Sequence, residues 1–111
     1  VTLPDIGMSK NSFDLVCNSL NVTHVFHLAA SVSFSQTLED AAKSNITSAL
    51  QMQALTKRLK FNHAKYVFIS TAFIHSNKSG TQQYPLPQKL FSLDPYDAEE
   101  IYRSMLTTQS Y

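Results

Sequence analysis

The apolar run Tyr66-Val67-Phe68-Ile69 stops at two hydroxyls, Ser70 and Thr71. A hydroxyl can donate one hydrogen bond and accept two. That suits it to meet a carbonyl oxygen on which negative charge develops during a reaction. Its commoner use is to cap the turn that follows. A second break of small residues, Ala29-Ala30-Ser31, closes the run beginning at Val25. Small side chains there let a flat ligand approach the main chain, although small residues after a strand mostly serve packing. Asn45 is a third point of interest, an amide inside an otherwise apolar stripe. A buried amide needs partners, and the backbone of the loops above the strands can supply them.

These residues acquire meaning from the elements that position them. Residues 25–29 and 66–69 read as short buried strands. Between them Leu38, Ala42, Asn45, Ala49, Met52, Thr56 and Leu59 recur at steps of three and four, which predicts one long helix over 38–60. Lys57, Arg58 and Lys60 suit its C-terminal dipole. Strand, helix, strand is a βαβ unit with parallel strands and a right-handed crossover. Ligands of such sheets bind at the carboxyl ends of the strands. Both small-residue breaks fall on that edge, and this convergence makes a site worth proposing.

Around the unit, residues 1–12 read as loop and 13–20 as a short helix presenting Phe13, Val16 and Leu20. Residues 61–65 turn the chain. After Phe73 a long surface loop carries Gly80, Pro85 and Pro87. A last helix is expected from Asp94 as its cap and Pro95 at its first position. Parallel sheets are covered on both faces and two strands do not make one, so residues 1–111 are expected to be an internal piece of a larger domain.

Composition narrows the classes. The 111 residues are 43% hydrophobic and 15% charged with net charge +1, a globular balance without the basic stripe of a nucleic-acid binder. No apolar stretch approaches the roughly 20 residues of a membrane span. Cys17 is the sole cysteine, which excludes an internal disulfide and reads as a structural thiol. The sequons at Asn21, Asn45 and Asn77 are short motifs that arise by chance, and none is read as glycosylated. His24 and His27 lack the cysteine or acid neighbours of a metal site; His27 reads as a satisfied core histidine, and His75, close enough to the hydroxyl pair to line the site mouth, reads in preference as a surface-loop histidine. Glu99 and Glu100 suit a first helical turn.

The stretches Val25-Phe26-His27-Leu28-Ala29-Ala30-Ser31-Val32-Ser33-Phe34, Asn45-Ile46-Thr47-Ser48-Ala49 and Ile69-Ser70-Thr71-Ala72-Phe73 resemble ordered motifs of the extended short-chain dehydrogenase/reductase family. Within it the fatty acyl-CoA reductases, the male sterility-type NAD-binding group, are the nearest match. "LPDIGMS" and "YPLP" resemble that group's flanking stretches. The resemblance implies an α/β fold, part of a Rossmann-like doubly wound parallel sheet. It implies NADPH as cofactor and a fatty acyl-CoA as substrate, reduced to aldehyde and primary alcohol. Leu28, Ala29, Ala30, Ser31 and Val32 would line the nicotinamide-ribose side and Asn45 would brace them. Ser70 would stand at the cofactor edge, and Thr71 would be the catalytic hydroxyl. It also implies an intracellular setting at peroxisomal or endoplasmic reticulum membranes, with any membrane attachment lying outside this segment. Two family features are absent from these residues. Gly7 and Gly80 form no Gly-rich phosphate loop, and none of Tyr66, Tyr84, Tyr96 or Tyr102 has a Lys four residues on. Alone, the segment is expected to bind no cofactor tightly and catalyse nothing. The alternatives are another extended reductase acting on a carrier-bound thioester, or an inert remnant.

Overall fold

The computed structural model describes residues 4–60 and 63–107. Its elements run in the order of a βαβ unit with flanking helices. A 3₁₀ turn at Pro4–Gly7 precedes helix α1 (Lys10–Asn18), strand β1 (His24–His27) and helix α2 (Leu38–Ala42). A π-turn at Lys43–Thr47 leads into helix α3 (Ser48–Arg58), followed by strand β2 (Lys65–Phe68), a 3₁₀ turn at Ala72–His75 and helix α4 (Ala98–Thr107). Strands β1 and β2 are parallel, with His24 opposite Lys65 and His27 opposite Phe68. This is the parallel βαβ unit that the strand–helix–strand pattern predicts, and it agrees with the α/β, partial Rossmann-like fold that the resemblance implies.

The helix expected over 38–60 is one rod interrupted inside. Thr37 opens it, its hydroxyl accepting the Asp40 N–H at 3.1 Å. The N–H of Ser48 reaches back five residues to the Lys43 carbonyl, closing the π-turn. The rod ends two residues early because Leu59 turns extended. Leu59 is thereby buried, and the Lys60 N–H bonds the Cys17 carbonyl at 2.8 Å. The buried face also differs in part from the stripe. Leu38 is 51% exposed, whereas Ser48 is 1% exposed and Leu55 is buried. Leu38 lies at the tip of α2, which packs on α4, while α3 packs on both strands.

Helix α1 starts three residues earlier than its pattern suggests because Ser9 caps it, accepting the Ser12 N–H at 3.2 Å. Phe13 and Cys17 form its buried face, with Val16 half-buried and Leu20 exposed. Phe13, Cys17 and Leu55 form the core, with Ile6, Met8 and Met52 packed against them. The strands begin one residue sooner than expected. Strand β1 also stops at His27, so Leu28 and Ala29 belong to the following loop. Helix α4 begins at Ala98, not at Pro95. The cap is Asp97, whose carboxylate accepts the Glu100 N–H at 2.8 Å, and Asp94 instead bonds the Ser92 hydroxyl. Part of the 61–65 turn lies outside the described residues. No helix among those described is long and apolar enough to cross a membrane.

Candidate functional site

Because the strands are parallel and in register, the segments after His27 and after Phe68 leave the sheet side by side. The Ile69 N–H still bonds the His27 carbonyl at 3.0 Å, which holds the two exits together. Beyond this point the 28–32 segment and Ser70-Thr71 share one edge. Leu28, Ala29, Ala30 and Val32 are exposed there, as are Ser70 and Thr71, and Ser31 is half-buried.

Asn45 fixes the first segment. Its Oδ1 accepts the Ser31 N–H at 2.7 Å and its Nδ2 donates to the Ser31 carbonyl at 3.1 Å. One amide thus satisfies both polar groups of one peptide residue, setting the position and the rotation of the loop. Asn45 is half-buried and sits at the middle of the π-turn. Such turns are frequent at functional sites. The Ser31 hydroxyl donates to Gln36 Oε1 at 2.8 Å, tying the loop also to the approach of α2.

Thr71 fixes the second segment. Its backbone is extended, and its Oγ1 accepts the Phe73 N–H at 3.3 Å at the head of the 3₁₀ turn. This bond uses a lone pair and not the proton, so the O–H can still be donated to a ligand. Capping and donation are therefore compatible in one hydroxyl. Leu28, Val32, Phe34 and Phe73, on the segments that follow the two strands, carry exposed apolar side chains, Val32 being 84% exposed. The arrangement offers one oriented donor, a pinned loop with small side chains at Ala29 and Ala30, and exposed apolar surface.

Further contacts were not legible in the sequence. Tyr66 reaches from β2 to donate to the Ala49 carbonyl of α3 at 3.1 Å, and burial pushes its pKa up. The Thr47 and Tyr102 hydroxyls meet at 2.6 Å across 55 residues of sequence, docking α4 on the π-turn. His27 is a core residue, 4% exposed, packed near Tyr66 and Phe68. Its Nε2 has no hydrogen-bond partner, which corrects the reading of a satisfied histidine. His75 is half-buried against Phe91 rather than free on the surface.

A parallel βαβ unit with this order of elements is part of a Rossmann-like α/β fold. The profile of the male sterility protein family, an NAD-binding domain, matches residues 1–110, and the chain belongs to that family. Fatty acyl-CoA reductase 1 of Rattus norvegicus is 30% identical over 89 residues, covering 78% of this chain and 17% of the rat protein. A Drosophila melanogaster protein, CG8303, named as a candidate fatty acyl-CoA reductase, is 32% identical over 94 residues, covering 85% of this chain and 16% of that protein. Fusarin C synthetase of Gibberella moniliformis is 32% identical over 73 residues, covering 64% of this chain and 2% of the synthetase. The chain thus spans about one sixth of the length of the reductases it matches. No solved structure matches it.

Proposed function

We propose that this chain forms the part of an NADPH-dependent fatty acyl-CoA reductase where the nicotinamide end of the cofactor meets the reacting carbonyl. The observation that supports this reading best is the meeting of the Asn45-pinned loop with the Thr71 hydroxyl on one strand edge. The exposed loop carrying Ala29 and Ala30 fits a flat ring against the main chain, with Ser70 beside it. When bound, the cofactor supplies hydride. Thr71 donates a hydrogen bond to the thioester oxygen as charge builds there. The exposed apolar side chains of Leu28, Val32, Phe34 and Phe73 offer surface that an acyl chain can cover. Overall, two hydrides and the matching protons convert the thioester to free thiol and aldehyde, and then to a primary alcohol.

The test is reduction of palmitoyl-CoA by the intact protein, followed through NADPH consumption. Thr71→Val should lower kcat about 100- to 1,000-fold, the usual loss on removing one such donor, with NADPH affinity nearly unchanged. Unchanged turnover removes Thr71 from the mechanism. A second reading, a reductase of carrier-bound thioesters, is supported by the similarity to fusarin C synthetase. It expects acyl groups on a carrier protein to be reduced in preference to palmitoyl-CoA.

A further inference from the structure

The π-turn at Lys43–Thr47 departs from the ordinary helix, and two hydroxyls hold it in that form. In an α-helix the Ser48 N–H would bond the carbonyl four residues back, that of Ser44. Here it reaches Lys43 instead. The Ser48 side chain makes the bond that its own N–H has left, its hydroxyl donating to the Ser44 carbonyl at a position 1% exposed. Thr47 poses a different problem. A helical threonine commonly turns its hydroxyl back on a carbonyl three or four residues earlier. For Thr47 the fourth is Lys43, the carbonyl that the Ser48 N–H uses. The Tyr102 hydroxyl of α4 meets Thr47 Oγ1 at 2.6 Å. It thereby engages the threonine away from Lys43 and leaves that carbonyl to the π bond.

The turn decides where Asn45 points. It joins two bodies, α3 packed on both strands and α2 packed on α4. Each residue of an α-helix turns the chain by ~100°. With α3 fixed on the sheet, a return to the α register would therefore swing Asn45 by up to ~100° about the rod axis. Its bonds of 2.7 and 3.1 Å to Ser31 would break. The docking of α4 leans on the hydroxyl contact. No residue of α4 is fully buried. A hollow of about 410 Å³, lined by Ile46, Leu50, Ala98, Glu99 and Tyr102, leaves the apolar packing between α4 and the rod incomplete.

We propose that Tyr102 is a positioning residue for the strand-edge site. Docked on Thr47, it keeps the turn in the π register, and the turn aims Asn45 at the loop after β1. The path runs from Tyr102 through Thr47 and the turn to Asn45 and Ser31. The effect on cofactor binding rests on the reading of residues 28–32 as the nicotinamide seat. The effect on the loop itself does not.

Hydrogen exchange of the intact protein, resolved to the Ser31 amide and to 98–107, tests this without any turnover. Tyr102→Phe keeps the ring and removes the hydroxyl, and should speed exchange about fivefold at both places. Thr47→Val should do the same, and the double variant should do no more than either change alone, because both cut one link. Thr47→Ser keeps a hydroxyl and should hold Ser31 at its wild-type rate. Tyr84→Phe, at an exposed tyrosine of the later loop, should change nothing. Faster exchange in 98–107 with Ser31 unmoved overturns the proposal, since Tyr102 then docks α4 and does no more. Should Tyr102→Phe fail to fold, Thr47→Val carries the same expectation from the other side of the bond. At the site, Tyr102→Phe should raise the KM for NADPH about fivefold with kcat nearly unchanged, the opposite split from Thr71→Val. A KM for NADPH equal to that of the wild type also overturns the proposal. If Ser31 loosens in the variants but the wild type binds no NADPH, the brace stands and the cofactor reading falls. If the wild type binds NADPH while Ser31 is indifferent to Tyr102, the reverse holds.

Discussion

At the scale of single residues, the site depends on bonds that satisfy two demands at once. Asn45 serves both polar groups of Ser31. Asn45→Leu keeps the bulk but orphans a half-buried N–H and C=O, which should cost about 2 kcal/mol and lower the melting temperature. Asn45→Asp keeps the acceptor and loses the donor, so it should fall between. Either variant melting like the wild type would show that the loop holds itself. Tyr66 gives a pH prediction. Its folded pKa lies above the unfolded one because burial disfavours the phenolate. Its contribution is therefore complete at neutral pH and is lost as pH rises through and beyond about 10. Tyr66→Phe should flatten the alkaline fall in melting temperature while losing about 1 kcal/mol at neutral pH with the bond to Ala49. Asn45 was legible because a polar residue interrupts an apolar stripe and must find a partner. The orphaned Nε2 of His27 was not, because sequence places a histidine inside without showing what faces each nitrogen.

Among the elements, the helix between the strands shows where periodicity succeeds and where it stops. Steps of three and four located the rod and its length within two residues. They could not reveal the π-turn, since one extra residue in a turn leaves the spacing of apolar residues on either side nearly unaltered. They also misassigned Leu38, because α2 faces another helix and not the sheet. The start of α4 was misread for a related reason. Asp94-Pro95 and Asp97 both carry helix-opening chemistry, and the choice fell to Asp97, which has Glu100 three residues on. The docking of α4 rests on Thr47 and Tyr102, which are 55 residues apart. Tyr102→Phe and Thr47→Val should each loosen α4, with a coupling of about 1 kcal/mol in a double-mutant cycle. Amide exchange in 98–107 should speed up while β1 and β2 keep their protection. Additive effects of the two changes would mean that the hydroxyls contribute independently.

At the scale of the whole molecule, the helix packing among the described residues falls on the sheet through α3. Val25, His27 and Tyr66 turn toward α3, while Phe26, 61% exposed, lies on the opposite face paired with Val67. An apolar sheet face with open edges favours association. The chain on its own should scatter light increasingly with concentration, and Phe26→Glu should suppress this without altering helix content. A monodisperse wild-type chain at high concentration would contradict that expectation. The pairing of β1 with β2 has a further consequence on the ribosome. Synthesis reaches His24 long before Lys65, and at roughly 5–20 residues per second the gap lasts about two to eight seconds. Through that interval Val25 and Phe26 emerge as an extended apolar segment whose partner strand has not yet been made. A parallel strand cannot shorten this wait by folding into a hairpin with the next segment. The nascent chain must either bury β1 against α3 first or hand it to a chaperone until β2 arrives.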